Sequence, residues 1–237
     1  MRLCLTPLSL LCFLSFCFSQ KINVEDLENL KMRNIGPAGM SGRVTSIDVD
    51  LSNPEIIYAG TASGGVWKSE SGGVRWEPIF DNAPTQSIGA ITINQKNTDE
   101  IWVGTGEGNP RNSQNSGEGI FKTIDGGKTW QQMGLEQTKV IHRVIIDPFD
   151  SDVVYVGAQG SAWGDSQDRG VFKTTDGGKT WEKILYVNET TGIADLVMDP
   201  TNHNKLIAGM WEFRRKPWTF TSGGEGSGMY ITYDGGK

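Results

Sequence analysis

The chain has 237 residues, 37% of them apolar and 31 of them glycine, which is enough for one large domain and rich enough in turns to suit an all-β protein. A formal charge of -6 with no long basic run excludes nucleic acid as a general partner, because phosphate binding needs a concentrated basic face. The three cysteines, Cys4, Cys12 and Cys17, all fall near the amino terminus, and His142 and His203 are the only histidines, so neither thiolate chemistry nor a histidine zinc site is expected downstream.

In chain order, residues 1–19 read as a secretory signal peptide. Arg2 precedes an apolar run from Leu3 to Phe18, and Ser19 marks a small-residue cleavage point. The run is shorter than the ~20 residues of a membrane helix, so no membrane span is expected after signal cleavage. With the leader gone the mature chain contains no cysteine and is held by burial and hydrogen bonds alone. The localisation that follows is secreted, periplasmic or cell surface. Residues 20–29 form a short lead-in.

From residue 30 onward the sequence repeats. VTSIDVDLSNPEIIYAG (44–60), IGAITINQKNTDEIWVG (88–104), IHRVIIDPFDSDVVYVG (141–157) and IADLVMDPTNHNKLIAG (193–209) align without a gap. Each predicts a strand, a polar turn and a second strand ending in glycine. A loop of variable length follows, then a third strand: GVWKS (65–69), GIFKT (119–123), GVFKT (170–174) and GMYIT (228–232). Each third strand leads into SESGGVRW (69–76), TIDGGKTW (123–130), TTDGGKTW (174–181) or the truncated TYDGGK (232–237). Between strands, D-G-G-K-T predicts a tight turn in which glycines supply positive φ and the Asp carboxylate accepts from the turn's own amides. The Trp that follows is an anchor for packing between neighbouring units. Ser71, Trp76, Asp125, Thr129, Trp130, Asp176, Thr180, Trp181 and Asp234 are therefore assigned to structure; Ser71 stands in the Asp position of the first copy, whose turn should be the least tightly held.

Units of this kind predict a β-propeller of four-stranded antiparallel blades. The blades fall at about 43–80, 87–134, 140–186 and 192–237: three complete and most of a fourth. By the spacing that separates each Trp from the next unit, Met32–Ile35 matches the fourth strands, so strand 30–35 is expected to close the ring by pairing with the last blade. The remaining blades are expected from further C-terminal sequence, because Lys237 precedes the Thr-Trp of its own turn.

The repeated turn resembles the Asp-box, or BNR repeat, of sialidases, sortilin-type receptors and xyloglucanases, over nearly all of residues 30–237. RNIGPAGMSGRV (33–44) with GGVWKS is similar to the opening of exported proteins classed with the sortilin, or VPS10, N-terminal propellers. YAGTASGGVWK (58–68) is similar to the first blade of xyloglucanases. That resemblance implies a catalytic Asp after the Thr, where this chain has Ala62 followed by Ser63. A glycosidase needs two carboxylates flanking the scissile bond, and Glu107, Glu118, Asp165 and Asp168 are the acids available, with no spacing that selects two.

In an up-and-down blade the variable loops lie opposite the Asp turns. The loops TASG (61–64), 105–118, 158–169 and 210–227 bring together Glu107, Arg111, Trp163, Asp165, Asp168, Arg169, Trp211, Glu212, Arg214, Arg215 and Trp218 as candidates for binding a peptide, protein or glycan. Rings stack on such ligands and guanidinium forks hold carboxylates. Arg43 and Arg143 lie near the start of first strands. Arg143 with Asp195 reads either as a channel mouth or as a structural ion pair, and His142 beside them reads as a core histidine rather than a base. No metal and no cofactor is expected. The functional expectation is an exported ligand-binding or scaffold propeller, with a xyloglucanase-like glycoside hydrolase as the alternative.

Overall fold

The computed structural model describes residues 43–237. The leader, its cysteines, the lead-in and the expected ring-closing strand 30–35 lie outside the described residues. Four antiparallel sheets of four strands follow one another along the chain. The first contains β1 (Val44–Val49), β2 (Ile56–Thr61), β3 (Val66–Glu70) and β4 (Glu77–Pro78), and the second β5 (Ile88–Ile93), β6 (Ile101–Thr105), β7 (Ile120–Thr123) and β8 (Gln131–Gln132). The third contains β9 (Ile141–Ile146), β10 (Val154–Ala158), β11 (Gly170–Thr174) and β12 (Glu182–Leu185). The fourth contains β13 (Thr191–Asp199), β14 (Asn202–Lys216), β15 (Thr219–Ser222) and β16 (Gly228–Thr232). In the first three, strand order equals chain order, which is the up-and-down arrangement of a propeller blade.

The cores lie between blades rather than within them. Tyr58 and Val66 of the first blade pack with Ile88, Ile91 and Val103 of the second, and two further clusters join the second blade to the third and the third to the fourth. The glycine that ends each repeat has its reason here. A Cβ on Gly60 would meet Ile88 Cγ2 at 2.6 Å, one on Gly104 would meet Ile141 Cγ2 at 2.3 Å, and one on Gly157 would meet Ile193 Cγ2 at 2.8 Å. The first isoleucine of each blade is thus seated on the bare backbone of the blade before it. At the fourth repeat the nearest atom to such a Cβ on Gly209 is a backbone atom of Asp195 at 3.8 Å.

A second regularity is a register shift at the start of every first strand, between Val44 and Ser46, Ile88 and Ala90, Ile141 and Arg143, and Ile193 and Asp195. The unpaired residues are Thr45, Gly89, His142 and Ala194. Each is a β-bulge, which bends the strand and re-aims its side chain.

The stretch 210–227, expected to be a loop, is corrected by the structure. β14 runs on to Lys216 and pairs with β15, so most of the segment is a β-hairpin standing on the blade. Residues 211–222 alternate Trp, Phe and Arg on one side with charged residues and threonines on the other, and that period of two drives the strand onward.

Candidate functional site

The ends of the blades separate the Asp turns from the variable loops. Gly126 N donates to Asp99 O and Gly177 N to Asp152 O, which sets each Asp turn beside its blade's first hairpin turn. At the other end Ala62 N donates to Arg43 O, Gly106 N to Ser87 O, Gln159 N to Val140 O and Phe213 N to Thr190 O, which sets the variable loops beside the blade connections.

The Asp turns are self-contained. Asp125 accepts from the Thr129 amide at 2.9 Å, the Thr129 hydroxyl at 2.6 Å and the Thr123 hydroxyl at 2.7 Å, while Thr123 Oγ1 takes the Gly127 amide at 3.1 Å. Asp176, Thr180 and Thr174 repeat the pattern. These hydroxyl and amide bonds hold both carboxyls well below the usual carboxylate range, so neither is available as an acid or base. Asp234 is lowered in the same way by the Thr232 hydroxyl and the Lys237 amide. Trp130 donates to Ile79 O at 2.8 Å and Trp181 to Met133 O at 2.7 Å, each reaching the preceding blade. Trp181 also stands edge-on to Trp102 at 6.2 Å. In the first copy Ser71 Oγ takes the Arg75 amide at 2.8 Å and lies 3.4 Å from the Ser69 hydroxyl, and Trp76 turns back on its own turn at Gly73 O. The replacement of Asp by Ser removes an acceptor oxygen.

On the loop face the expected residues divide into those that are locked and those that are open. Glu107, fully buried, accepts from Arg43 Nε at 2.6 Å and Nη2 at 2.5 Å. The Gln114 side-chain amide donates to the Glu107 carbonyl at 2.5 Å. Arg169 also departs from the open loop surface expected of it. It is 0% exposed and donates to Gln159 O, Ser161 O and Gly164 O, which ties the 158–169 loop into a knot. Burial pushes its pKa down to about 10. Arg214 is paired with Asp165. Trp211 stacks on Phe213 at 4.6 Å instead of standing free. Glu212 takes the Gly226 amide at 2.9 Å.

Arg143 and Asp195 form an ion pair at 2.6 Å, the structural alternative of the two readings. Arg143 Nη1 also lies 3.1 Å from His142 Nε2 and donates to His142 O at 2.8 Å. His142 is the bulge residue of its strand, and its pKa falls to about 4, first because it is buried and second because Arg143 is cationic. The open residues are Arg111, Trp163, Asp168 and Trp218, together with Arg215, whose Nε donates to Asn112 Oδ1 at 2.9 Å. Asn112, Phe213 and Phe220 were missed as partners of these residues; the alternation WEFRRKPWTF, with Pro217 at its bend, is the sequence signal for the hairpin that holds two of them.

Among the described residues no three His, Cys, Asp or Glu side chains converge to hold a metal. No helix among them is long and apolar enough to cross a membrane.

The model of the family described as sortilin, neurotensin receptor 3 (Sortilin-Vps10) matches residues 118–237. The chain belongs to the Sortilin-Vps10 family. Its curated relatives include a xyloglucanase of Paenibacillus sp, 24% identical over 184 residues, covering 72% of this chain and 17% of that one. An oligoxyloglucan-reducing end-specific xyloglucanase of Emericella nidulans is 22% identical over 213 residues, covering 83% of this chain and 23% of that one. Among solved structures, an ancestral GH74 enzyme superposes with a TM-score of 0.62 at 18% identity, over 85% of this chain and 24% of that one. The Niastella koreensis GH74 enzyme gives 0.59 at 22%, over 81% and 28%. The Sortilin-Vps10 chain is thus a propeller-type domain related to GH74 xyloglucanases, and it spans about a fifth of the length of the curated relatives it matches.

Proposed function

We propose that this domain is a ligand-binding or scaffold module of an exported protein, taking a peptide, protein or glycan on its loop face, and that its Asp turns serve as Asp-boxes of the blade framework. The state of the carboxylates supports this reading. Glu107 is buried against Arg43, Asp165 is paired with Arg214, and Glu118 lies 4.0 Å from Lys139. Asp168 alone of the four carries no ion pair among the described residues, whereas glycoside hydrolysis calls for two carboxyl groups at a set separation. The position after Thr61 holds Ala62, buried and without any acid function.

The test is to incubate the full chain with xyloglucan and β-glucan oligosaccharides, following new reducing ends, and to titrate the same glycans and a peptide library calorimetrically. Saturable binding without turnover, weakened by Trp218→Ala or Arg111→Ala, is the expected result. Binding that neither substitution alters removes the loop face from the reading.

A second reading, hydrolysis of xyloglucan, draws its support from the names of the curated relatives. It predicts turnover that disappears in Asp168→Asn. Turnover of that kind would overturn the binding-module proposal.

A further inference from the structure

The hairpin of β14 and β15 carries a surface that the blade framework does not use. One face of it is a continuous stack. The Arg169 guanidinium lies over Phe213 at 5.3 Å, Phe213 stacks on Trp211 at 4.6 Å, Phe220 stands edge-on to Trp211 at 5.7 Å, and Arg215 covers Phe220 at 5.4 Å. Two of these contacts set a cation on a ring face, one sets a ring edge-on to a ring and one stacks two rings, so the hairpin is held in one orientation. Arg215 N donates to Ala162 O at 2.9 Å and Arg214 pairs with Asp165, which fastens the hairpin to the third blade.

Arg215 then reaches the second blade. Its Nε is engaged by Asn112 Oδ1, while its two terminal nitrogens have no carboxylate. With Arg111 it lines a shallow hollow of about 420 Å³, whose other walls are Pro110, Asn112 and Ser113. Neither guanidinium has an ion pair among the described residues, and exposed Lys216 is the next residue along β14. In a chain of net charge -6 this is a local concentration of cations, and two guanidinium forks at one hollow suit carboxylates.

One strand across from Arg215 runs an open sheet edge. β15 pairs with β14 alone, and Thr219, Phe220, Thr221 and Ser222 are all exposed. Its outer edge therefore presents unpaired N–H and C=O groups among the described residues. Arg215 leans across Phe220, its cross-strand partner, and so extends over β15 toward that edge.

We propose that an extended acidic peptide adds as a strand to the free edge of β15 and places carboxylates on Arg111 and Arg215. This rests on the binding-module reading and names the partner class within it. The edge favours a peptide over an acidic glycan: a peptide backbone repeats donors and acceptors at the strand spacing, and a sugar chain does not.

The probe is a fluorescein-labelled peptide of alternating Glu and Thr, titrated with the full chain by anisotropy. Two other probes run beside it: the same peptide N-methylated at alternate residues, and labelled oligogalacturonate. The expected result is saturable peptide binding that weakens about tenfold in exposed-site Arg111→Ala and in Arg215→Gln. Binding should also fall with added salt and be lost on N-methylation. Insensitivity to Arg111→Ala, or equal affinity for the N-methylated peptide, overturns the inference, as does failure of the peptide to bind at all. Oligogalacturonate binding in place of the peptide overturns it too, yet leaves the binding-module reading standing. That reading fails separately, on turnover in the reducing-end assay.

Discussion

His142 sets a strong pH dependence on this domain. The imidazole occupies the bulge of β9, and a Cβ placed on Gly108 would come within 2.0 Å of its Nδ1, so the ring lies directly on that glycine. Arg143 is a donor only, so the 3.1 Å contact to Nε2 requires that nitrogen to be unprotonated, leaving the proton of the neutral ring on Nδ1. Protonation would put a second cation against Arg143 in a partly buried place, partly offset by Asp195. The folded pKa is therefore near 4 against an ordinary 6.5. Because the folded value is the lower one, the unfolded chain binds the proton first. The native state is favoured above 6.5 and loses stability as pH falls from there toward 4. The full effect is about 3 kcal/mol, of which about 2 kcal/mol is gone by pH 5. Histidine ring spectra across pH 3–8 measure the midpoint directly, with His203→Gln assigning the only other histidine. Urea denaturation at pH 7 and pH 5 measures the stability, and His142→Gln should suffer about 2 kcal/mol less of the loss. A His142 midpoint near 6.5, or equal losses in both proteins, would refute the reasoning.

Three further outcomes follow from the framework. Trp181→Ala removes an indole bonded to Met133 O and edge-on to Trp102, and should cost about 3 kcal/mol in urea denaturation, whereas Trp76→Ala, bonded only within its own turn, should cost under about 1 kcal/mol. Gly178→Ala places a Cβ 2.6 Å from Trp102 Cη2 at φ +92° and should destabilise by about 3 kcal/mol; Gly72→Ala, at φ +60° with nothing within 4 Å, should lose about 1 kcal/mol. Asp176→Asn should lower the urea midpoint at pH 7. Because the folded pKa of Asp176 is depressed, its contribution is present above 3.8 and disappears as pH falls below it, so the gap between the two proteins should close in acid. A gap that does not narrow between pH 7 and pH 2 contradicts that account.

Much of the framework was legible in the residues. The aligned repeats gave the strands because hydrophobic alternation and turn chemistry are local properties, and the Asp turns could be read for the same reason: Asp176 meets Thr180 and Thr174 within a few residues. The repeat-final glycines were visible as a pattern but their cause was not, since Gly104 is bare to admit Ile141 from the next blade. Candidate site residues were harder to sort. Arg169 and Arg111 look alike in a loop sequence, yet one is buried under three carbonyls and the other is open. What separates them is whether backbone oxygens converge on the guanidinium.

The sequence by itself determined the all-β class, the four sheets, the turn chemistry and the packing role of Trp130 and Trp181, because each depends on residues near in the chain or repeated at a fixed spacing. Only the tertiary structure decided that Glu107 is locked by Arg43 and that 210–222 rises as a hairpin. It alone placed Arg215 of the fourth blade beside Arg111 of the second. Those pairings join residues far apart in sequence, and which groups lose water, and which keep it, is settled only when the blades pack.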